Sequence, residues 1–165
     1  EQLAIGDCLA VAALNKKRFN RQNFKEFHPS GSLGAKLKTV EDLMISGLKI
    51  PFINENSSMK KALAIITKKK LGILIATNKK KLTTGIITDG QIRRSSQKNK
   101  SLIELSVKKV MTKNPISVDK DMLAVKSLAI MSENKITSLC VHKKNSRGKT
   151  IGVLHIHNIL DGNIS

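Results

Sequence analysis

A short segment rich in Gly and Ser, FHPSGSLG at residues 27–34, holds one of only four histidines in the chain. The imidazole of His28 suits general acid–base chemistry, because its unperturbed pKa lies near the pH at which most enzymes work. A segment of Gly, Pro and Ser is also what a plain linker between two elements contains. The residues alone therefore leave two interpretations open, a linker and part of an active site.

Other polar side chains follow apolar runs closer to the C-terminus. His155 and His157 alternate within a predicted strand, so both are predicted to lie on one face, as two metal ligands would. No third ligand from Cys, Asp or Glu is evident nearby in the sequence, and a polar strand end explains the pair equally well. We therefore expect no metal site. Arg93 and Arg94 either contact phosphate at the mouth of a cleft or lie on a solvated helix face.

The composition restricts the class of protein. The formal net charge of +18 raises the question of nucleic-acid binding. However, Lys outnumbers Arg 25 to 5, and the chain has no Tyr or Trp to stack on bases. Specific nucleic-acid binding is therefore not expected.

The apolar residues predict a cytoplasmic protein without a membrane partner. The longest apolar runs, such as Leu71 to Ala76, are far shorter than the roughly 20 residues that span a bilayer. The first residues have neither the basic region nor the apolar region of a signal peptide. Cys8 and Cys140 lie in apolar surroundings, which predicts buried, unreactive thiols in a reducing compartment.

An internal repeat with a period of about 65 residues organises most of the chain. Two copies of this length indicate two small domains. Neither is large enough to form a generous core alone, so we expect them to pack on each other. The matching segments are Val40–Met44 with Val107–Met111, Ile50–Pro51 with Asn114–Pro115, Lys61–Ile66 with Lys126–Met131, and Gly85–Thr88 with Gly152–His155.

The hydrophobic periodicity predicts the order β-α-β-β-α in both copies. In the first copy, Ser57 or Ser58 caps a helix that has one apolar stripe. The run 71–76 is predicted to be a strand buried on both faces, and a strand over 82–88 leads into a short helix. In the second copy Asp121 is the predicted cap. The later elements of that copy are a helix from Met122 to about Asn134, strands Thr137–Val141 and Thr150–Ile156, and a closing helix from His157.

This pattern, with the segments GIITDGQIRR and GVLHIHNIL, resembles tandem CBS (cystathionine β-synthase-type) domains over about residues 40 to 165. The resemblance implies an α/β (α+β) fold, in which two β-α-β-β-α units pack about a pseudo-twofold axis. It also implies clefts that bind adenine nucleotides, often through a Ser/Thr-x-x-Asp segment at the start of the last helix. The residues that this places in the clefts are Thr88, Asp89, Gln91, Arg94, Thr137, His155, His157 and Asn158.

The chain departs from that pattern at the ribose-binding position. Gln91 and Asn158 stand where the family has Asp, and His155 replaces the Ser/Thr of the second repeat. An amide still forms hydrogen bonds with a sugar but does not offer the paired acceptors of a carboxylate. Two interpretations follow: a pair kept for packing and oligomerisation, and a pair that binds a nucleotide or sugar-nucleotide effector.

Residues 1–39 lie outside the repeat. A helix rich in Ala and Leu over 3–14 is apolar on most of its surface, so we expect it to be covered on several sides by a larger domain. With the segment FHPSGSLG and the later VEDLM, it resembles the end of the sugar-isomerase (SIS) domain of arabinose 5-phosphate isomerases. In that family, a His-Pro-Gly-Gly-Ser-Leu-Gly segment leads into a CBS pair.

The second resemblance implies a function. The family interconverts ribulose 5-phosphate and arabinose 5-phosphate for lipopolysaccharide synthesis, uses no cofactor and forms tetramers. Its motif histidine matches His28, while Ser30, Gly31 and Ser32 match the substrate-binding loop, with Ser30 in place of the usual Gly. Because most of the SIS domain would lie upstream, we expect this chain to be a C-terminal fragment that is inactive alone.

The expected division of the chain is a SIS tail at 1–39, a first CBS domain at 40–100 and a second at 104–165. The alternative function is a stand-alone CBS pair that senses a nucleotide or a sugar nucleotide.

Overall fold

The computed structural model of the chain describes residues 16, 37–98, 101–146 and 148–162. Within these ranges the strands form two sheets of four strands each. The strands are β1 (Ile45–Ser46), β2 (Phe52–Asn54), β3 (Ile73–Thr77), β4 (Thr83–Thr88), β5 (Thr112–Lys113), β6 (Ser117–Asp119), β7 (Ser138–His142) and β8 (Gly152–His155). One sheet has the order β2-β3-β4-β5, and the other has the order β1-β8-β7-β6.

The α-helices of the described ranges lie between these strands in the predicted order. They are α1 (Val40–Leu43), α2 (Met59–Lys69), α3 (Asp89–Lys98), α4 (Val107–Val110), α5 (Ala124–Asn134) and α6 (Ile156–Asp161). Single 3₁₀ turns at Gly47–Lys49 and Leu102–Glu104 connect neighbouring elements. In each repeat the first strand pairs parallel with the second, and the second pairs antiparallel with the third. The order β-α-β-β-α is therefore confirmed in both repeats.

The two repeats exchange their leading segments. Strand β1 precedes the first repeat but pairs with β8 of the second, with Ile45 opposite Val153. Strand β5 precedes the second repeat but pairs with β4 of the first, with Thr112 opposite Ile86. Each sheet is therefore completed by the segment that precedes the other repeat, so neither repeat forms its full sheet alone.

Three groups of buried apolar side chains hold this arrangement together. The first lies under α2 and includes Val107 from the exchanged segment, and the second lies under α5 and includes Val40. The third lies between the two sheets and joins residues of both repeats: Ile50, Ile73, Ile75, Cys140 and Val153. Each fully buried Ile or Leu stabilises the fold by about 1.5–3 kcal/mol relative to exposure. The expected packing of the repeats on each other is confirmed, and so is the burial of β3 on both faces.

Glycines occupy the two equivalent places where an exchanged segment pairs with the edge of a sheet, with Gly152 opposite Ser46 and Gly85 opposite Lys113. Met44 lies over Gly152, and Met111 lies over Gly85. A Cβ atom at Gly85 would lie 2.6 Å from the sulfur of Met111 and 2.8 Å from the carbonyl oxygen of Thr112. Such distances are too short for a real Cβ, so the close approach requires a residue without a side chain.

Of the two caps that the sequence predicts for the long helices, the one at Ser57 or Ser58 is confirmed and the one at Asp121 is not. Ser58 caps α2, because its Oγ accepts a hydrogen bond from the backbone N–H of Lys61 at 3.5 Å. The prediction that Asp121 caps the second helix is wrong. Helix α5 begins at Ala124, and the carboxylate of Asp121 lies in the preceding turn, 3.1 Å from the ammonium of Lys120.

The main chain replaces a side-chain cap at the start of α5. The N–H of Ala124 donates to the carbonyl oxygen of Lys38 at 2.9 Å, as the N–H of Met59 donates to that of Leu105 at 2.8 Å. Both acceptors belong to the exchanged segments. A helix start that is satisfied by a neighbouring backbone does not need a polar residue at the cap position, which here is Leu123.

Candidate functional site

The short helices that follow β4 and β8 begin beside the first residues of β3 and β7. The N–H of Asp89 donates to the carbonyl oxygen of Gly72 at 3.2 Å, and that of Ile156 donates to Thr137 at 2.9 Å. These equivalent hydrogen bonds bring a helix N-terminus and a strand start together in each repeat. The polar residues of both repeats are therefore gathered at one end of the sheets.

A cleft of about 330 Å³ opens between the repeats at this end. We call it the first cleft. Five residues that the sequence predicts for a binding site line it: Thr88, Asp89, Arg94, Thr137 and His155. The other lining residues are Gly72, Ile86, Gly90, Lys135, Ile136 and Ser138. Hydroxyl groups, two cationic side chains and one carboxylate thus surround a space with partly apolar walls.

The start of α3 forms one wall of the first cleft. The Oγ1 atom of Thr88 accepts a hydrogen bond from the N–H of Gln91 at 3.4 Å, so the hydroxyl proton of Thr88 stays available to a ligand. The exposed carboxylate of Asp89 lies over Gly72, where an added Cβ would be 3.0 Å from Oδ2. Gly72 also has a positive φ of 63°, so both its conformation and its surroundings favour glycine.

Gln91 does not line either cleft at this end of the sheets, although the sequence places it in the binding site. Its amide nitrogen donates to the carbonyl oxygen of Val110 at 2.8 Å, and its amide oxygen accepts from the hydroxyl of Thr112. These contacts tie α3 to the segment that carries β5. The side chain at the ribose position of the first repeat is therefore engaged in holding the exchanged strand.

A second cleft of about 360 Å³ lies beside the first and has the equivalent position in the other repeat. His157 and Asn158 line it together with His155 and Gly72, which both clefts share. Lys70, Leu71 and Ile45 complete its wall. The sequence-predicted site is therefore divided between two adjoining clefts.

The prediction that His155 and His157 alternate along a strand is wrong, because α6 already begins at Ile156. His155 is the N-cap of that helix, and its Nδ1 accepts a hydrogen bond from the N–H of His157 at 3.2 Å. The two rings stack with centroids 4.9 Å apart. The Oδ1 of Asn158 in turn accepts from the N–H of His155 at 3.1 Å. The two histidines are brought together by a capping interaction.

The protonation of His155 is affected by this position. Burial lowers the pKa of His155 below its usual value, and the nearby His157 lowers it further. A neutral ring also fits the hydrogen bond, because Nδ1 accepts only when it carries no proton. Across the described ranges, no group of three or more His, Cys, Asp or Glu side chains is placed to hold a metal ion.

Two polar residues of the first cleft, Lys135 and Ser138, are absent from the set that the sequence predicts. Lys135 follows α5 in the left-handed conformation, with φ 53°, and is equivalent to Lys70 after α2, with φ 55°. Ser138 is the first residue of β7 and is only 7% exposed. The signal for Ser138 is a hydroxyl residue at the start of a buried strand, where the first repeat has Ile73.

The opposite end of the two sheets also joins equivalent residues. The hydroxyls of Thr83 and Thr150 form a hydrogen bond of 2.7 Å across the two repeats. Cys140 lies nearby, where burial raises the pKa of its thiol to about 11 and a hydrogen bond with Thr150 opposes this. The expected burial of Cys140 is confirmed. Cys8 lies outside the described residues.

The predicted isomerase residues also lie outside the described residues. These are His28, Ser30, Gly31 and Ser32, together with the predicted apolar helix near the N-terminus. Within the ranges that the structure covers, no helix is long and apolar enough to cross a membrane.

The fold and the paired clefts define the class of protein. Two β-α-β-β-α repeats with exchanged leading segments form a tandem CBS pair, and the chain belongs to the CBS domain family. The model of that family matches residues 40–98 and 107–163.

Similarity to curated proteins extends over nearly the whole chain. The chain is 34% identical over 163 residues to an uncharacterised Rickettsia prowazekii protein, RP505, covering 99% of this chain and 50% of that one. It is 37% identical over 159 residues to the arabinose 5-phosphate isomerase KdsD of Salmonella typhi, covering 96% of this chain and 48% of the enzyme. The chain thus spans about half the length of the curated relatives it matches.

Solved structures support the fold. The CBS pair of protein MJ0100, solved with 5′-methylthioadenosine and S-adenosyl-L-methionine, aligns with a TM-score of 0.68 at 21% identity, over 78% of this chain and 98% of that one. The protein CBSX2, solved with AMP, aligns with a TM-score of 0.66 at 22% identity, over 76% of this chain and 96% of that one.

Proposed function

We propose that this chain is the C-terminal regulatory and assembly part of an arabinose 5-phosphate isomerase. The observation that carries the proposal is the extent of the similarity. The CBS family match begins at residue 40, whereas the similarity to the Salmonella typhi isomerase covers 159 of the 165 residues. Residues ahead of the CBS pair therefore resemble the enzyme too, which a similarity between CBS domains alone does not explain.

The proposal assigns roles within a complete enzyme. His28 moves a proton between the carbons of the sugar phosphate, and Ser30, Gly31 and Ser32 contact the substrate. The chain divides into a SIS tail at 1–39 and CBS domains at 40–100 and 104–165. The enzyme acts in the cytoplasm, assembles as a tetramer and supplies arabinose 5-phosphate for lipopolysaccharide synthesis.

A chimera tests this function. The half of the Salmonella typhi enzyme that this chain does not match is joined to the chain, and turnover of ribulose 5-phosphate is measured. We expect the chimera to be active and the 165-residue chain alone to be inactive, since the substrate needs its positioning residues. His28→Ala in the chimera should lower kcat by about 10²–10⁴-fold, which is the usual contribution of a general acid–base. An active chimera that is insensitive to His28→Ala would contradict the proposed role.

The second candidate function is a ligand sensor that acts without an attached isomerase. The first cleft favours it, because this cleft combines free cationic and hydroxyl groups with a space of about 330 Å³. The related CBS proteins solved with AMP and with adenosine derivatives support a nucleotide or sugar nucleotide as the ligand. Thermal unfolding with a panel of such ligands tests this, because a ligand at 100 times its Kd stabilises by about 2.7 kcal/mol. No shift with any member of the panel would contradict it.

A further inference from the structure

We infer that the apolar stretch at residues 3–14 docks on helices α5 and α6 of the second repeat, against Val125 and Leu160. The inference concerns how the part of the chain ahead of residue 37 attaches to the CBS pair. It goes beyond the proposed function, because it holds whether or not the complete protein is an isomerase.

The first observation is the place where the chain enters the second repeat. The carbonyl oxygen of Lys38 accepts from the N–H of Ala124 at 2.9 Å, and the ammonium of Lys38 donates to the carbonyl oxygen of Gly162 at 3.0 Å. Val40 continues this contact, since its N–H donates to the carbonyl oxygen of Met122 at 2.8 Å. The residues that precede Lys38 therefore enter beside the start of α5 and the end of α6.

Two exposed apolar side chains lie beside this entry point. Val125 is the second residue of α5 and is 38% exposed, and Leu160 lies in the last turn of α6 and is 50% exposed. Single apolar residues are common on protein surfaces. These two differ because the equivalent residues of the first repeat, the second of α2 and the fifth of α3, are Lys60 and Arg93. At these positions the second repeat is apolar and the first is cationic.

The first repeat shows what the equivalent entry point holds. There the carbonyl oxygen of Leu105, the counterpart of Lys38, accepts from the N–H of Met59 at the start of α2. The 3₁₀ turn just ahead of it, Leu102–Glu104, packs on α2 and buries Leu102 in the core beneath that helix. The chain that leads into this exchanged segment thus packs on the helix beside it. The same arrangement in the second repeat requires the residues ahead of Lys38 to pack on α5.

The charges of the helices also favour the second repeat. Helices α2 and α3 carry seven Lys and Arg residues and one Asp, whereas α5 and α6 carry one Lys, one Glu and one Asp. The segment 15–25, which follows the apolar stretch, has five cationic side chains and no carboxylate. Like charges within a Debye length, about 10 Å at 0.1 M salt, repel each other. The basic segment is therefore disfavoured beside the first repeat and accepted beside the second.

The apolar stretch is the occupant that fits this surface. It carries one charged side chain, Asp7, and is apolar over most of its predicted helical surface. Apolar groups of both partners leave water when they meet, which favours docking. The residues from 15 to 36 extend to about 70 Å at most, so they allow the stretch to reach α5 and α6. The part of the chain ahead of the CBS pair is thereby fixed to the second repeat.

Cross-linking tests the contact in the 165-residue chain. Cys8 lies within the apolar stretch, whereas Cys140 is buried and the pKa of its thiol is raised to about 11, so Cys140 does not compete for a maleimide. A second reactive thiol is introduced by Leu160→Cys or, as the matched control at the equivalent position, by Arg93→Cys. With a short bismaleimide we expect Cys8 to link to residue 160 at least about tenfold faster than to residue 93, because docking raises the effective concentration of the two thiols. The mass of the product distinguishes a link within one chain from a link between two.

Substitutions test whether the apolar side chains hold the contact. The double variant Val125→Lys and Leu160→Arg gives the second repeat the side chains of the first. We expect it to accelerate amide hydrogen exchange of residues 3–14 by at least about tenfold, since two apolar contacts are lost. Leu48→Lys is the control, because Leu48 is 96% exposed and its carbonyl oxygen accepts from Lys69 at the end of α2, in the other repeat. It should leave that exchange within about twofold, and thermal unfolding of each variant verifies that it is folded.

The outcomes decide the inference without reference to enzyme activity. Equal rates of linkage to residues 93 and 160 overturn it, as does unchanged hydrogen exchange in the double variant. A link from Cys8 that joins two chains shows that a second copy covers the surface, and this also overturns docking within one chain. The isomerase proposal is decided separately by turnover of the chimera.

Discussion

Replacing Gly85 or Gly152 by Ala should destabilise the packing of an exchanged segment against the sheet that it completes. At Gly85, the new Cβ would meet the backbone oxygen of Thr112 at 2.8 Å as well as the side chain of Met111. At Gly152, the close contacts are with the flexible side chain of Met44, and the nearest backbone oxygen, that of Ile45, is 3.2 Å away. A side chain can move to another rotamer, but the backbone of a paired strand cannot.

The distance from the new Cβ to the nearest backbone oxygen determines how much stability each substitution should cost. Overpacking in a core usually costs 1–3 kcal/mol. We therefore expect Gly85→Ala to lower the free energy of unfolding by about 2–3 kcal/mol and Gly152→Ala by about 1 kcal/mol. Denaturant unfolding with a constant m-value measures both. In thermal unfolding, each kcal/mol should lower Tm by roughly 2–4 °C for a chain of this size.

Removing the methionine side chains separates the cost of the side-chain contact from the cost of the backbone contact. Met44→Ala should relieve most of the additional cost of Gly152→Ala. Met111→Ala should relieve only part of the cost of Gly85→Ala, because the contact with the Thr112 carbonyl remains. If Gly152→Ala destabilises the protein as much as Gly85→Ala, or if Met111→Ala rescues Gly85→Ala completely, the argument from the backbone contact is refuted.

Three further predictions concern the helix starts and the site. Ser58→Ala should lower the free energy of unfolding by about 0.5–1 kcal/mol through the lost cap, whereas Asp121→Ala should change it by less than about 0.5 kcal/mol. Gln91→Leu should cost about 1–2 kcal/mol, because it leaves the Val110 carbonyl without its amide donor. The free energy of unfolding should fall as the pH drops from about 7 to 5, because His155 has a lowered pKa in the folded state and the unfolded chain takes up the proton first.

Each of these three predictions has a control variant, whose free energy of unfolding is measured by the same denaturant titration. A larger loss for Asp121→Ala than for Ser58→Ala would contradict the structure at the two helix starts. For Gln91, the conservative Gln91→Glu should keep the acceptor for Thr112 and lose only the donor to Val110, so it should not be more stable than the natural chain near neutral pH. His155→Asn keeps a capping side chain, and its stability should depend less on pH over the same range. An unchanged pH dependence would contradict the role given to His155.

The internal repeat explains why much of the fold could be predicted. Runs such as 73–76 are apolar without interruption, and strands of that kind are buried on both faces wherever they pack. The exchange of the leading segments could not be predicted in this way. A short segment such as Val40–Met44 carries the same apolar pattern whichever repeat it covers. Only the pairing of the following strand β1 with β8 distinguishes the two possibilities.

The candidate site was predictable to a similar degree. The resemblance to CBS domains located Thr88, Asp89 and Arg94, because these residues lie at the end of a recognisable strand and in the first turns of the helix that follows it. It could not reveal that the Gln91 amide is engaged by the exchanged segment. It also did not indicate Ser138, because residues of both repeats form the cleft that this residue lines.

The sequence by itself determined the repeat, the order of its elements and the family, because periodicity and motif spacing are local properties of the chain. Only the tertiary structure decided which sheet each leading segment completes and which polar residues share a cleft. Those features depend on contacts between residues that are far apart along the chain, such as Ile86 with Thr112 and Ile45 with Val153. Such contacts are selected by the packing of two similar sheets against each other, which local sequence patterns do not encode.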